Sequence, residues 1–114
     1  HGESSLLAAG NTMVDMAHAV HSVLRECSIT KVKFIGHSMG GYVALAYAEA
    51  FPQEVMGVLL MNSTPEADTL ERKELRKHGI KVAKTNYEAL ISMSVVNLFT
   101  QKFRANLEEH IQQF

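Results

Sequence analysis

The chain has 114 residues, 46% hydrophobic and 20% charged, which excludes a disordered polymer and suffices for one ordinary domain but not two. Its 11 basic and 12 acidic residues are interspersed and sum to a formal net charge of -1, so neither a nucleic acid nor a membrane is expected as a partner. No apolar run is long enough to span a bilayer, and no basic-then-apolar leader opens the chain, which begins on His1. The single cysteine, Cys27, excludes an internal disulfide framework and suits a cytoplasmic location; its expected place is a buried helical position.

The first segment, His1 to Asn11, reads as loop. Thr12 to Asp15 then fits a helix opening, a hydroxyl able to cap the first turn with an acid placed to complement it. Met13, Met16, Ala17, Val20, Val23, Leu24 and Cys27 recur at helical spacing, while Asp15, His18, His21, Arg25 and Glu26 fall largely on the other side. After Ser28-Ile29-Thr30, the β-branched run Lys31 to Gly36 predicts a strand. Met39 to Phe51, rich in glycine and alanine, predicts a helix that packs close to its neighbour and stops before Pro52. Val55 to Met61 is almost wholly apolar, as in a parallel strand covered on both faces. Helix, strand, helix, strand is an α/β order with a right-handed parallel sheet. Beyond Asn62-Ser63-Thr64-Pro65, three helical stretches are expected: Asp68 to Lys84, Asn86 to Phe99 and Gln101 to Phe114. Leu90, Ile91, Val95, Leu98 and Phe99 mark an apolar face in the middle one. A boundary near Thr64 divides a sheet unit, 1–64, from a helical unit, 65–114.

The chemistry concentrates at Gly36-His37-Ser38-Met39-Gly40-Gly41, a Gly-x-Ser-x-Gly pattern between a predicted strand and a predicted helix. On so sharp a turn the Ser38 hydroxyl projects alone above the sheet edge, and its backbone is strained by roughly 1–3 kcal/mol. Side chains at Gly36 and Gly40 are expected to collide with neighbouring backbone. The helix that follows aims its first N–H groups at the reaction centre, and the Met39 N–H would be one donor to a developing oxyanion. His37 points away from the serine on such a turn and is a poor base for it. A glycine-rich turn that merely packs, or that cradles a phosphate, is the competing reading. A phosphate loop would favour Gly-Lys-Ser/Thr or Gly-x-Gly-x-x-Gly, and neither occurs.

Residues Gly36 to Leu45 resemble the nucleophile elbow of the α/β-hydrolase fold family, which includes esterases, lipases, thioesterases and carbon–carbon bond hydrolases. His1-Gly2-Glu3-Ser4, Thr12 to Ala17, Phe51 to Val55 and Leu59 to Ser63 resemble further segments of that core, and the helices after Thr64 resemble its lid. The resemblance implies Ser38 as nucleophile, with the elbow built by Gly36, His37, Gly40 and Gly41. It also implies a triad in the order serine, acid, histidine, the last two following strands beyond the lid. On that pattern the chain is expected to hold Ser38 and the Met39 N–H while lacking the triad acid, the histidine and the second oxyanion donor. Asp68, His78 and His110 could substitute only from lid helices or their caps. Asp68 with Glu71 reads more simply as a helix cap. The six histidines show no convergent spacing, so no metal or cofactor is expected.

The implied substrate is a small molecule with an apolar acyl or ester group, for which Tyr87, Met93, Val96 and Phe99 are candidate linings. The implied reaction is hydrolysis through an acyl-enzyme on Ser38, with the isolated chain inert. Two other readings stand beside it: a non-catalytic ligand-binding protein of the same fold, and a small self-contained α/β domain that binds an anion at Gly36 to Gly41.

Overall fold

The computed structural model describes residues 3, 5 and 11–104. The chain forms two compact units, His1–Glu66 and Ala67–Phe114. The first opens with α1, Met13–Glu26. The Thr12 hydroxyl accepts from the Asp15 N–H at 3.1 Å, and an Asp15 carboxylate oxygen accepts from the Thr12 N–H at 3.0 Å. This reciprocal box satisfies donors that a helix start otherwise leaves open. The Thr12 hydroxyl, and then its N–H, hold the Asp15 carboxyl below the usual carboxylate range.

At the other end Ser28 turns left-handed, with φ 59°. Its N–H donates to the Arg25 carbonyl at 2.9 Å, and the Ile29 N–H donates to the Leu24 carbonyl at 2.8 Å. These are the paired bonds of a Schellman cap. Cys27, expected to be buried on the helix, is instead the capping residue beyond its last full turn and is exposed. Val23, counted with the buried face, is also exposed.

Two parallel strands follow, β1 (Val32–His37) and β2 (Val55–Met61), joined through α2 (Met39–Ala50). The register runs from Lys33 opposite Gly57 to His37 opposite Met61, after an irregularity between Val32 and Lys33. β1 therefore starts one residue later than expected and includes His37. The helix α2 packs on both strands and on α1. Ala17 on α1 and Ala44 on α2 are buried, and such small side chains let two helices approach closely.

The apolar run of β2 is not covered on both faces. Val58 and Leu60 are half-buried, whereas Met56, Leu59 and Met61 are exposed, as is Ile35, the register partner of Leu59. Alternation sends successive side chains to opposite sides, and α2 covers the Phe34, Val58 and Leu60 side.

Tyr47, wholly buried, ties this unit together. Its ring centroid lies 4.8 Å from that of Phe34 and 4.9 Å from that of Phe51. Its hydroxyl donates to Glu54 at 2.5 Å, and His21 Nδ1 lies 3.2 Å from the same carboxylate oxygen. The His21 ring stacks on Phe51 at 3.9 Å, and His18 meets Phe51 edge-on at 5.2 Å. His21, assigned by periodicity to the polar face of α1, is thus a half-buried packing residue, whereas His18 stays exposed on that face. Phe51, the C-cap residue of α2, is a long-range neighbour that the spacing along α1 does not reveal. Burial, then the bond to Glu54, pushes the Tyr47 hydroxyl up to about 12. The same bond is the main reason the Glu54 carboxyl lies below its usual range.

The second unit contains α3 (Leu70–Thr85), α4 (Tyr87–Asn97) and the short α5 (Gln101–Arg104). Thr69 caps α3 by accepting from the Arg72 N–H at 3.3 Å. The Asp68 and Glu71 cap expected from sequence does not form. Asp68 instead accepts from Arg76, through Nε to one oxygen and through Nη2 to the other at 3.2 Å, the two-pronged geometry that suits a guanidinium. Arg76 accordingly holds the Asp68 carboxyl below its usual range. On the predicted apolar face, Leu90, Ile91, Val95 and Phe99 are half-buried. Leu98 lies past the end of α4 and is exposed.

Candidate active site

Ser38 occupies the single residue between β1 and α2. Its backbone stands at φ 51° and ψ -120°, a region that L-residues other than glycine rarely enter and that costs on the order of 1–3 kcal/mol. Although Ser38 is the N-cap of α2, its hydroxyl does not cap the helix. A serine in that position usually spends its side chain on the first turn. Here the residue is exposed and its hydroxyl makes no hydrogen bond among the described residues.

The sharp turn is held by contacts that only glycines allow. A Cβ on Gly36 would lie 2.6 Å from the Gly41 Cα and 2.7 Å from both the Gly40 carbonyl oxygen and the Gly41 nitrogen. All three are backbone atoms, so no side chain can swing aside. The expected collision at Gly40 is not found among the described residues: an added Cβ there meets none of them within 4 Å. The second close approach belongs to Gly41, where a Cβ would stand 2.2 Å from Ser63 Oγ and 2.6 Å from Ser63 Cβ. Side chains on a helix project to different sides, and position 41 is the one turned toward the end of β2.

Around the serine, its own N–H donates to the Met61 carbonyl at 3.0 Å, and its carbonyl accepts from the Gly41 N–H at 3.0 Å. Met39 and Gly40 head α2, where N–H groups lack a carbonyl partner within the helix and the helix dipole is positive. His37 is exposed at the end of β1.

His18 and His21 pack on Phe51, Asp68 is engaged by Arg76, and His78 is exposed on α3. His110 and the Met93 side chain lie outside the described residues. Of the other candidate linings, Tyr87 is exposed at the start of α4, while Val96 and Phe99 are half-buried. Among the described residues no three of His, Cys, Asp or Glu form a group able to hold a metal ion, and no helix is long and apolar enough to cross a membrane.

Two contributors escape a reading of the sequence. Asn62, just past β2, is left-handed at φ 49°, and Ser63 Oγ is buried with no hydrogen-bond partner among the described residues. Asparagine directly after an apolar strand was the available signal, since it tolerates that conformation better than most residues.

Residues 1–87 match the alpha/beta hydrolase fold family. Over 107 residues the chain is 28% identical to the putative carbamate hydrolase RutD of Serratia proteamaculans, covering 90% of this chain and 40% of that protein. Over 70 residues it is 39% identical to the dihydrolipoyllysine-residue acetyltransferase component of the acetoin cleaving system of Cupriavidus necator, covering 61% of this chain and 19% of that protein. The structure is similar to that of a thermophilic esterase from Thermogutta terrifontis, with a TM-score of 0.78 and 26% identity, over 97% of this chain and 42% of the other. It shares the fold of Est816, described as an N-acyl homoserine lactone degrading enzyme, with a TM-score of 0.77 and 21% identity over 98% of this chain and 42% of the other. The chain thus spans about two-fifths or less of the length of each of these proteins.

Proposed function

Because this chain belongs to the alpha/beta hydrolase fold family, we propose that Ser38 is the nucleophile of a hydrolase acting on a carboxylic ester or related acyl bond. One observation carries the reading. Ser38 sits at φ 51° and ψ -120° on a strand-to-helix turn, with a hydroxyl that does not cap the helix and makes no hydrogen bond among the described residues. Strain of that kind persists only where surrounding structure enforces it, and here it leaves one hydroxyl free. The names of the carbamate hydrolase, acetyltransferase and esterase relatives all denote chemistry at an acyl carbon, which supports the substrate class.

In the proposed reaction a histidine from the full-length protein takes the Ser38 proton as Oγ attacks the carbonyl carbon. The resulting oxyanion is stabilised by the Met39 N–H, at the positive end of α2, and by a second donor from outside this chain. Collapse expels the leaving group and forms an acyl-enzyme, which water hydrolyses to regenerate Ser38. Gly36, His37, Gly40 and Gly41 form the turn. The 114 residues alone are expected to be inert, since loss of the base from such a triad costs on the order of 10⁴–10⁶ in rate.

The test is covalent labelling of the full-length protein by a serine-directed fluorophosphonate, with the adduct located by peptide mass spectrometry. Modification at Ser38 that is lost in Ser38→Ala supports the proposal. An unlabelled protein, or one labelled equally in Ser38→Ala, would point to a non-catalytic ligand-binding protein of the same fold.

A further inference from the structure

We infer that Asn62 and Ser63 are positioning residues for Ser38, closing a ring of contacts that keeps its backbone in the left-handed conformation. The inference rests on Ser38 being the nucleophile.

The ring can be traced atom by atom. The Ser38 N–H donates to the Met61 carbonyl, the last of β2, at 3.0 Å. The chain passes from Met61 through Asn62, left-handed at φ 49°, to Ser63. The Ser63 side chain fills the space beside Gly41, with its Oγ 2.2 Å from where a Cβ on Gly41 would stand. The Gly41 N–H donates to the Ser38 carbonyl at 3.0 Å and closes the ring.

Each hydrogen bond restrains one side of Ser38, but one is anchored on β2 and the other on α2. Were the first turn of α2 to slide along the end of β2, both bonds could lengthen and the unfavourable φ could relax. Ser63 prevents this because it is fixed to the end of β2 and packed on the first turn of α2. Its Oγ is buried and has no hydrogen-bond partner among the described residues. Buried groups of that kind call for an explanation, and the geometry supplies a steric one: the side chain fills the space beside a glycine. The left-handed turn at Asn62 delivers it there, and asparagine is among the few residues other than glycine that enter that region readily.

The ring predicts a compensating pair. In Gly41→Ala the new methyl collides with Ser63; in the double variant Gly41→Ala/Ser63→Gly the obstructing Oγ and Cβ are gone. Fluorophosphonate labelling rates, kcat and KM for p-nitrophenyl butyrate, and melting temperature are measured on the full-length protein. Displacing a reacting atom by about 1 Å costs on the order of 10² in rate. Gly41→Ala should therefore label on the order of 10²-fold more slowly, with kcat falling and KM little changed. The double variant should recover most of that loss. Asn62→Val should slow labelling more than Asn62→Gly, because glycine adopts φ 49° without strain.

A double variant as slow as Gly41→Ala, or a Gly41→Ala protein that labels at the wild-type rate, would overturn the inference. If the wild-type protein does not label at all, the hydrolase proposal fails separately and melting decides the ring. A melting temperature lowered in Gly41→Ala and restored in the double variant supports the contact, and one not restored removes it.

Discussion

Replacing Tyr47 by alanine and, in parallel, by phenylalanine separates what its ring does from what its hydroxyl does. The ring is wholly buried, with centroids 4.8 Å from Phe34 and 4.9 Å from Phe51. Truncating a large aromatic side chain in such a setting costs about 3–5 kcal/mol. At about 2–4 °C per kcal/mol for a domain of 150–250 residues, Tyr47→Ala should melt roughly 6–20 °C below wild type. Tyr47→Phe keeps the ring and loses the donor that meets Glu54 at 2.5 Å, so it should fall by less and change the pH profile. The Glu54 carboxyl is held below its usual range mainly by Tyr47. That contribution is complete above the unfolded carboxylate value and is lost as pH falls through the lower folded value. The Tyr47 hydroxyl is raised to about 12, so its contribution is complete below the unfolded value of about 10 and is lost as pH rises toward the folded one. Phenylalanine abolishes the alkaline loss and shrinks the acid one. Melting curves of the full-length proteins, followed by circular dichroism across pH, test this. Superimposable pH profiles for wild type and Tyr47→Phe, or Tyr47→Ala melting within about 2 °C of wild type, would refute the reasoning.

Two other substitutions probe the turn and the end of α1. In Gly36→Ala the nearest contact would be 2.6 Å against an ordinary limit of 3.4 Å, so backbone must yield by 0.8 Å (3.4 - 2.6). Melting should report a loss of about 1–3 kcal/mol together with slower fluorophosphonate labelling, whereas Gly40→Ala, whose Cβ meets none of the described residues within 4 Å, should be neutral or stabilising. Ser28→Gly relieves a left-handed residue at φ 59° and should raise stability by about 0.5–1 kcal/mol in denaturant melts, the steric relief outweighing the added chain entropy of glycine.

Local chemistry was legible in the residues themselves. The Thr12 and Asp15 box, the span of β2 from Val55 to Met61 and the strand–serine–helix order at Ser38 each follow from neighbours a few positions apart. A hydroxyl three residues from an acid, or a β-branched run ending in glycine, carries its own consequence. Helix spacing along α1 could place His21 on one side of a cylinder but could not show that Phe51, Tyr47 and Glu54 would meet it there. The same limit hid the partnership of Asp68 with Arg76, which took Asp68 away from the cap of α3.

The Gly-x-Ser-x-Gly pattern marked where the backbone must bend, and the composition marked a sheet unit followed by helices. Only the tertiary structure decided which glycine has no room for a side chain: Gly36 against backbone and Gly41 against Ser63, while an added Cβ on Gly40 meets none of the described residues within 4 Å. The reason is that a clash depends on which segments from distant parts of the chain are brought together. Residue spacing fixes the direction in which a side chain leaves its own element, but not what already occupies the space it would enter.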